Sequence, residues 1–257
     1  METYCGEVHM SNGIRIRGSQ GQVQIDDSAP CYVVLEEGTF SGANLQALAA
    51  NNPDPYLYNT DAFYNRHVIN FAKVVTTQEA PLVFLKLQSV TFMSCFQVEG
   101  QPGAWTGFSI GLGGLQVDSQ VTYGAKSGQW FSAAKTPGPS GAKIGVRIRN
   151  RQTNQIVYDS GWRLVKFLQQ TANFQPAGRI SHNVLIYTVG YPEPTTAYFL
   201  ANSMTGLLSF TNRLQQMSIC ITAEFPNKLL MVTYTADDNA IAYQSYSWTA
   251  LFGVPGN

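Results

Sequence analysis

One pattern in this sequence matches a nucleophile motif, Gly-x-Ser-x-Gly, with Ser109 at its centre. In serine esterases the small flanking residues allow a sharp strand-to-helix turn that exposes the serine hydroxyl for attack on an ester carbonyl. The residues that follow, Leu112-Gly113-Gly114-Leu115, are a poor opening for a helix, and the downstream histidine, His182, lies far along the chain. The context therefore favours a glycine-rich loop around a surface serine over a serine esterase.

Residues that bind metals or act as acids and bases are present but scattered. The three histidines, at positions 9, 67 and 182, do not stand at metal-ligand spacing with Cys, Asp or another His. Adjacent carboxylates occur at 26–27, 36–37 and 237–238, at the ends of predicted strands, where acidic residues suit turns. A polysaccharide depolymerase typically needs a long β-helix with short repeats, which this chain lacks. We therefore expect no metal, no cofactor and no enzymatic activity.

Two short stripes of arginine, Arg15/Arg17 and Arg147/Arg149, have the spacing of residues on one face of a β-strand. A basic two-stranded ribbon can contact nucleic acid. However, sixteen basic and sixteen acidic residues cancel over the chain, so no overall field favours DNA, RNA or an anionic membrane. Arginine on a strand also hinders unwanted edge-to-edge pairing. We interpret these stripes as parts of assembly hairpins and expect no nucleic-acid partner.

Aromatic residues are concentrated in two segments without clear strand character. Tyr56, Tyr58 and Tyr64 lie in a segment broken by two prolines, and Trp105 lies in a glycine-rich stretch. Exposed aromatic rings provide contact area for carbohydrates or receptors at low entropic cost. The competing interpretation places these rings in the core or in a subunit interface, and for Trp105 we favour this interpretation. The four residues are the candidate binding residues.

The arginine stripes belong to a segment that occurs twice. Residues 13–26 and residues 145–160 both contain Gly, an apolar/Arg alternation, a polar turn, and a second short run that ends in Asp with Ser close behind. Period-two alternation predicts half-buried strands, and the Gly, Ser and Asn residues between the runs favour a tight reversal. Each copy therefore predicts a β-hairpin. The detail of the match indicates an internal duplication.

Two further similarities follow the hairpins in the same order. Residues 121–125, Val-Thr-Tyr-Gly-Ala, are repeated as Val-Thr-Tyr-Thr-Ala at 232–236, and a weaker echo links residues 81–85 with 194–200. The linker signal Lys-Thr-Pro-Gly-Pro-Ser-Gly at 135–141 directly precedes the second hairpin. We predict a first β domain at residues 1–135, with a helical and aromatic insertion around 41–66, and a second at 142–257.

The remaining pattern predicts an all-β chain with minor α content. Short runs rich in Val, Ile, Phe and Tyr recur at roughly 8–12-residue spacing, as in antiparallel sandwiches and barrels. Residues 41–50 fit a short helix that Ser41 caps and that the Asn51-Asn52-Pro53 segment ends. Residues 104–115 predict a loop or a bulged strand, because glycine is frequent there. We expect two tandem, related, antiparallel β-sandwich-like domains.

Composition is typical of a subunit in an assembly. The chain has 257 residues, of which 44% are hydrophobic, so it can form substantial cores. Only 12% are charged, about half the usual share. The sequence begins without the pattern of a secretory signal, contains no apolar run of about 20 residues, and carries four scattered cysteines that we expect to be free thiols.

With both hairpins defined, the chain resembles small virion proteins at the tail tip or on the tail fibres of tailed bacteriophages. Many of those proteins begin with a Gly-φ-x-φ strand, a short Gly/Asn turn and a φ-x-φ-Asp-Ser strand, where φ is apolar. Residues 145–160 match this form closely, and residues 13–28 match it with Asp27 inserted before Ser28. The resemblance covers the start of each half, and the duplication departs from the usual single copy.

The resemblance implies a structural virion protein of a bacteriophage tail, as a tail-tip, baseplate or tail-fibre component, with host attachment as a further role. It implies synthesis in the host bacterial cytoplasm, other tail proteins as partners, and a homo-oligomer, either a trimer or a sixfold assembly. The alternative is a carbohydrate- or receptor-binding module that contacts a host cell-surface receptor or glycan. A serine esterase or depolymerase is the less favoured alternative.

Overall fold

The structure is a computed structural model of the full chain. It describes residues 15–17, 23–26, 31–41, 46–47, 66–88, 91–113, 115–117, 120–122, 127–135, 137–150, 152–172, 174–181, 184–190, 196–202, 206–210, 213–221, 228–235 and 249–256.

Every regular element in this described part is a β-strand, which confirms the all-β, antiparallel fold class. The first half contributes β1 (Arg15–Arg17), β2 (Val23–Asp26), β3 (Tyr32–Phe40), β4 (Gln46–Ala47), β5 (Arg66–Val75), β6 (Leu82–Leu87), β7 (Thr91–Gln101), β8 (Ala104–Gly113), β9 (Leu115–Val117), β10 (Gln120–Thr122) and β11 (Gly128–Lys135). The second half contributes β12 (Arg147–Arg149), β13 (Ile156–Asp159), β14 (Val165–Ala172), β15 (Gln175–Ser181), β16 (Val184–Gly190), β17 (Tyr198–Leu200), β18 (Gly206–Phe210), β19 (Arg213–Ile221), β20 (Lys228–Thr235) and β21 (Thr249–Pro255).

Two antiparallel sheets form the body of the molecule. The smaller one, which we call the small sheet, has six strands in the order β14-β21-β17-β6-β11-β3. The large sheet has nine strands, eight of them in the order β15-β16-β20-β19-β7-β8-β5-β4, with β18 pairing β19. Three two-stranded hairpins, β1–β2, β9–β10 and β12–β13, stand outside these sheets.

The two halves of the chain contribute to both sheets in the same order. From the outside inward, the small sheet runs β3-β11-β6 in the first half and β14-β21-β17 in the second, and the large sheet runs β4-β5-β8-β7 and β15-β16-β20-β19. In chain order, the matching strands are therefore β3 and β14, β4 and β15, β5 and β16, β6 and β17, β7 and β19, β8 and β20, and β11 and β21. The topology has twofold pseudosymmetry, which supports the duplication, although the duplication itself remains a prediction.

The structure differs from two separate sandwiches because both sheets run across the halves. In the small sheet β6 pairs with β17, with Phe84 opposite Leu200, and in the large sheet β7 pairs with β19, with Phe92 opposite Cys220. In an isolated half, these inner strands would each present an unpaired edge, which is a liability for a β protein. The pairing of β6 with β17 and of β7 with β19 leaves none of these inner strands with an unpaired edge.

The small sheet curls until its outermost strands meet. Val33 of β3 forms a β-bridge with Leu164, immediately before β14, and the Val34 amide donates to the Arg163 carbonyl at 2.7 Å. Inside the curl, the rings of Phe84 and Phe167 lie 6.1 Å apart. These residues sit three strands apart, roughly 14 Å along a flat sheet, so their contact requires strong curvature.

The main core lies between the two sheets and includes residues from both halves. Its fully buried members include Leu85 and Phe199 from the small sheet and Phe108, Ile110 and Tyr187 from the large sheet. A second apolar cluster, on the concave side of the small sheet, is centred on Phe84 and Phe131, whose rings stack at 4.5 Å. Strand alternation explains both clusters, because successive side chains of β6 point to opposite faces.

Two glycines on β3 and β11 make room for aromatic rings of the partner strand. Gly38 lies opposite Trp130, and Gly128 lies opposite Phe40. A Cβ atom on Gly38 would stand 2.7 Å from the indole of Trp130, and one on Gly128 would stand 2.5 Å from the Phe40 ring. The rings therefore lie across their facing glycines, and this arrangement fixes the register of the two strands.

Several local predictions need correction or fall outside the described residues. The helix expected at 41–50 is contradicted where it is described, because Gln46–Ala47 is a strand that pairs with β5. Residues 42–45 and 48–65, which make up most of that helix and of the insertion around 41–66, lie outside the described residues. In their described residues, the similar segments 121–125 and 232–236 do not fall on corresponding strands. Residues 121–122 belong to β10, which pairs with β9, whereas residues 232–235 lie in β20, which corresponds to β8.

Candidate functional site

The two repeated segments form hairpins with the same register. In the first, Arg15 lies opposite Asp26, and in the second, Arg147 lies opposite Asp159. Each ladder has one irregularity, at the same position, between the central isoleucine and the second arginine. The predicted hairpins are thus observed, and their backbone pairing is equivalent down to the bulge.

In the second hairpin, β13 faces the body of the protein and β12 faces outward. On β13, Ile156, Val157 and Asp159 are buried, whereas both arginines of β12 are exposed. Ile156 packs with Trp162 and Leu164 against Val33 of the first half. The hairpin is therefore fixed to the molecule through β13, and β12 forms its outer edge.

Asp159 is the centre of a network that holds this hairpin and the preceding chain together. Its carboxylate accepts hydrogen bonds from the Ser140 hydroxyl at 2.7 Å, the Ser140 amide at 3.1 Å and the Gly161 amide at 2.9 Å. Across the ladder, Arg147 Nε donates to Asp159 Oδ2 at 2.8 Å, forming an ion pair. A buried carboxylate needs several donors to offset its lost hydration, and this one has four.

These donors lower the pKa of Asp159 well below its ordinary value. The largest contribution is the hydrogen bond from the Ser140 hydroxyl, followed by the Gly161 amide, with the Arg147 guanidinium and the Ser140 amide adding to it against the opposing effect of burial. Each donor stabilises the ionised carboxylate more than the protonated acid. Asp159 is therefore a structural anion that holds the hairpin.

The other fixed positions of the motif contact each other beside this network. The Val146 amide donates to the Ser160 hydroxyl at 2.9 Å, and the Ser160 amide donates to the Val146 carbonyl at 2.9 Å. Gly145 lies against the same hydroxyl, in a backbone conformation with φ of 155°. A Cβ at Gly145 would collide with Ser160 Oγ. In the second copy, the recurring positions of the pattern therefore form two adjacent contacts, Gly145 with Ser160 and Arg147 with Asp159.

The turn of the hairpin is closed by its own polar residues. The Asn150 side chain accepts hydrogen bonds from the amides of Gln152 and Thr153, both at 2.9 Å. Asn154 adopts φ of 58°, a left-handed conformation that asparagine tolerates. Arg149 donates from its guanidinium to the Asn154 carbonyl at 2.8 Å. The two arginines therefore have different roles, since Arg147 binds a carboxylate and Arg149 a turn carbonyl.

A second surface feature is a cleft of about 360 Å³ between β3 and the end of β5. In β5 the ladder to β8 is interrupted between Asn70 and Val75, and the amide of Ala72 in this bulge donates to Glu36 Oε2 at 2.9 Å. Lys73 and Val74 are exposed at its rim. The cleft combines one carboxylate, one ammonium group and aliphatic walls.

The predicted aromatic binding residues are not brought together in the described structure. Tyr56, Tyr58 and Tyr64 lie outside the described residues. Trp105 is the second residue of β8, is partly buried against the main core, and donates from Nε1 to the Thr77 carbonyl at 2.9 Å. Its indole N–H is therefore already used to hold the segment after β5.

Ser109 is neither on a surface loop nor on a nucleophile turn, which corrects the predicted surface loop. It lies in the middle of β8, is fully buried, and donates its hydroxyl to Glu99 of β7 at 2.5 Å. The glycine-rich stretch is instead a bulged strand, the other option that the sequence offered. A nucleophile motif of the esterase type requires the serine to be exposed at a strand-to-helix turn.

Three further properties of the described ranges bear on function. No group of three or more His, Cys, Asp or Glu side chains in them is arranged to hold a metal ion. Cys31 carries a thiol rather than a disulfide, and burial raises its pKa. Among these ranges there is no helix with the length and hydropathy of a membrane span.

Sequence signals for this site were partly visible. The sequence predicts the hairpin and its arginines, but it places Ser140, whose hydroxyl lowers the pKa of Asp159 most, only in a linker.

Comparison of the chain with protein-family models, curated proteins and solved structures gave no match.

Proposed function

We propose that this protein is a structural virion protein of a bacteriophage tail, a tail-tip, baseplate or tail-fibre component that works by binding neighbouring subunits. The observation that carries the proposal is the pair of hairpins with one register, one bulge position and the Gly-φ-Arg-φ…Asp-Ser pattern. That pattern is the basis of the resemblance to phage tail proteins.

The contacts of the second hairpin favour assembly over catalysis. Its charged centre, the Asp159–Arg147 pair, is saturated with structural hydrogen bonds and contributes to rigidity. At the same time, Ile144 and Val146 beside it are 94% and 59% exposed. Large exposed apolar side chains next to a rigid edge are typical of protein–protein contacts.

Cryo-electron microscopy of intact phage particles tests the proposal directly. We expect density for this two-sheet fold at the tail tip, baseplate or fibres, in a copy number compatible with threefold or sixfold symmetry. Mass spectrometry of purified particles is the companion measurement. Detection of the protein in infected cells but not in purified particles would exclude the proposed role.

A receptor-binding role is the second candidate, and the cleft between β3 and β5 favours it. Its volume of about 360 Å³ lies at the lower end of the range for small-ligand sites. Glu36 and Lys73 in its walls can bind polar groups of a host glycan or peptide. Binding of the isolated protein to host cells, compared with a Lys73→Glu variant, tests this role. Equal cell binding by the two proteins would argue against the cleft.

A further inference from the structure

The outer edge of β12 has peptide groups in the arrangement that an added strand requires. The Val146 carbonyl accepts from the Ser160 amide at 2.9 Å, and the Asn150 amide donates to the Gln155 carbonyl at 2.8 Å, so both groups point toward β13. Because peptide groups alternate along an antiparallel strand, those of Arg147 and Arg149 point away from β13. No described residue pairs with them.

Apolar side chains accompany this edge. Ile144 is 94% exposed, Val146 is 59% exposed, and Ile148 between the two arginines is half-buried. Isolated apolar residues on a surface are ordinary, but here they recur at every second position beside an unpaired strand. The arginines of this strand hinder pairing with a like-charged edge, so the exposed peptide groups and apolar side chains suit a partner of opposite charge.

The edge is held rigidly before any partner arrives. Asp159 fixes Arg147 and the chain at Ser140, and the Trp162 indole donates to the Gly138 carbonyl at 3.0 Å. Ile156 of the paired strand is buried against Val33. A preformed edge lowers the conformational entropy that binding would otherwise cost.

Charge indicates the kind of partner. The charged residues at 143–149 are Lys143, Arg147 and Arg149, all basic. Arg147 is neutralised by Asp159, whereas Lys143 and Arg149 have no ion-pair partner among the described residues. A second copy added antiparallel to this edge would place like charges opposite each other, which is unfavourable. A strand with acidic side chains would complement them.

We propose that the outer edge of β12 binds a strand of a different protein, in which apolar residues alternate with acidic ones. The apolar side chains of that strand cover Val146 and Ile148, its carboxylates meet Arg149 and Lys143, and its backbone pairs with Arg147 and Arg149. This inference rests on the proposed role as a particle subunit and specifies the partner of its second hairpin.

Fluorescence anisotropy with the full-length protein and labelled peptides tests the edge. We expect a seven-residue peptide of alternating valine and glutamate to bind at least about tenfold more tightly than the same peptide with lysine in place of glutamate. A valine–glutamate peptide with proline at its centre, which lacks one N–H donor, should lose most of this binding. Equal binding of the glutamate and lysine peptides would overturn the proposal.

Matched variants locate the binding on the protein. Val146→Asp should weaken binding of the valine–glutamate peptide at least about tenfold, whereas Ala177→Asp, at an exposed apolar residue of β15 in the large sheet, should leave binding unchanged. Arg149→Glu should shift the preference toward the lysine peptide. Unchanged binding in Val146→Asp, or self-association of the protein that Val146→Asp abolishes, would show that the edge does not have this partner.

The two proposals fail in distinguishable ways. If the protein is found on the particle but binds no acidic strand, the inference about β12 is wrong and the structural role stands. If the peptide binds as expected but the protein is absent from particles, the edge is a binding site and the tail role is wrong.

Discussion

At the scale of single residues, the repeated sequence pattern has a direct physical explanation. The arginine and aspartate that recur in each copy lie opposite each other in both hairpins, and in the second copy they form the Arg147–Asp159 ion pair. The recurring glycine is needed at 145, because a side chain there would collide with Ser160. The pattern therefore reflects contacts between the two strands of the hairpin as well as the alternation along each strand.

Replacement of Asp159 by asparagine should destabilise the protein in a pH-dependent way. The folded-state pKa of Asp159 is lowered, so its charge contributes stability at neutral pH that is lost as pH falls below the ordinary aspartate pKa of about 3.9. We expect a lower thermal midpoint for Asp159→Asn at pH 7, and a difference from wild type that shrinks below about pH 4.

The matched control is Glu79→Gln, which removes the carboxylate of the exposed Lys135–Glu79 pair, 3.0 Å apart. Exposed pairs contribute between roughly 0 and 1 kcal/mol, so this variant should change the midpoint little. Thermal unfolding monitored by circular dichroism measures both variants. The pH series runs from about 3, where carboxylates begin to be protonated, to about 8, where they are ionised. Equal midpoints for Asp159→Asn and wild type at pH 7 would contradict the role assigned to the network.

At the scale of elements, the pairing of β3 with β11 depends on space at glycine. The Trp130 ring lies over Gly38 and packs in the main core, where it is 4% exposed and contacts Phe71 and Phe108. Gly38→Ala forces this ring to move within a close-packed interior, at a cost of about 1–3 kcal/mol. Gly178→Ala is the control, because a Cβ there meets no atom within 4 Å.

Urea unfolding of the two variants measures this difference. We expect a lower midpoint for Gly38→Ala and a midpoint close to wild type for Gly178→Ala, since both glycines lie in strands and only one faces a ring. An equal decrease in the urea midpoint of both variants would indicate a general effect of alanine in β-strands instead of the Trp130 contact.

The elements also show which sequence signals were sufficient. Alternation is a local property, so both hairpins could be predicted from the sequence alone. The strand β15 has no such local signal, because Pro176 and Gly178 interrupt its pattern, and in the structure its ladder is irregular between these two residues. Proline is tolerated there because β15 is the outer strand of the large sheet.

Contacts between distant segments were not predictable in the same way. The Ser140–Asp159 hydrogen bond depends on the chain turning back over the hairpin, and nothing in the local pattern of 135–141 indicates it. The echo between residues 81–85 and 194–200 falls in β6 and β17, which hold corresponding places in the small sheet. When its last two residues are aligned, Phe84 is matched with Phe199, and these two residues lie on opposite faces of that sheet.

At the scale of the whole molecule, the halves resemble each other in strand order but differ in connections. Residues 48–65 separate β4 from β5, whereas only residues 182 and 183 separate the corresponding β15 from β16. The longer connection lies at residues 48–65, inside the segment 41–66 where the sequence predicts an insertion. The two halves therefore share a strand order but differ in the length of this connection.

The shared sheets predict that neither half is stable as a folded monomer. Cutting the chain between 135 and 142 and producing one half alone would expose the inner edges of β6 and β7, or of β17 and β19, together with core residues such as Leu85 and Phe199. Unpaired edges and exposed apolar surface favour association or unfolding.

Co-production of residues 1–135 and 142–257 as separate chains should instead give a 1:1 complex, because the two edges restore each other's pairing across β6–β17 and β7–β19. Analytical ultracentrifugation of each half and of the pair distinguishes these states. A homodimer of one half is also consistent with the twofold pseudosymmetry, since each inner edge then meets a copy of itself. A monomeric half that unfolds cooperatively would contradict the shared core, because a closed sandwich within each half would then be sufficient for folding.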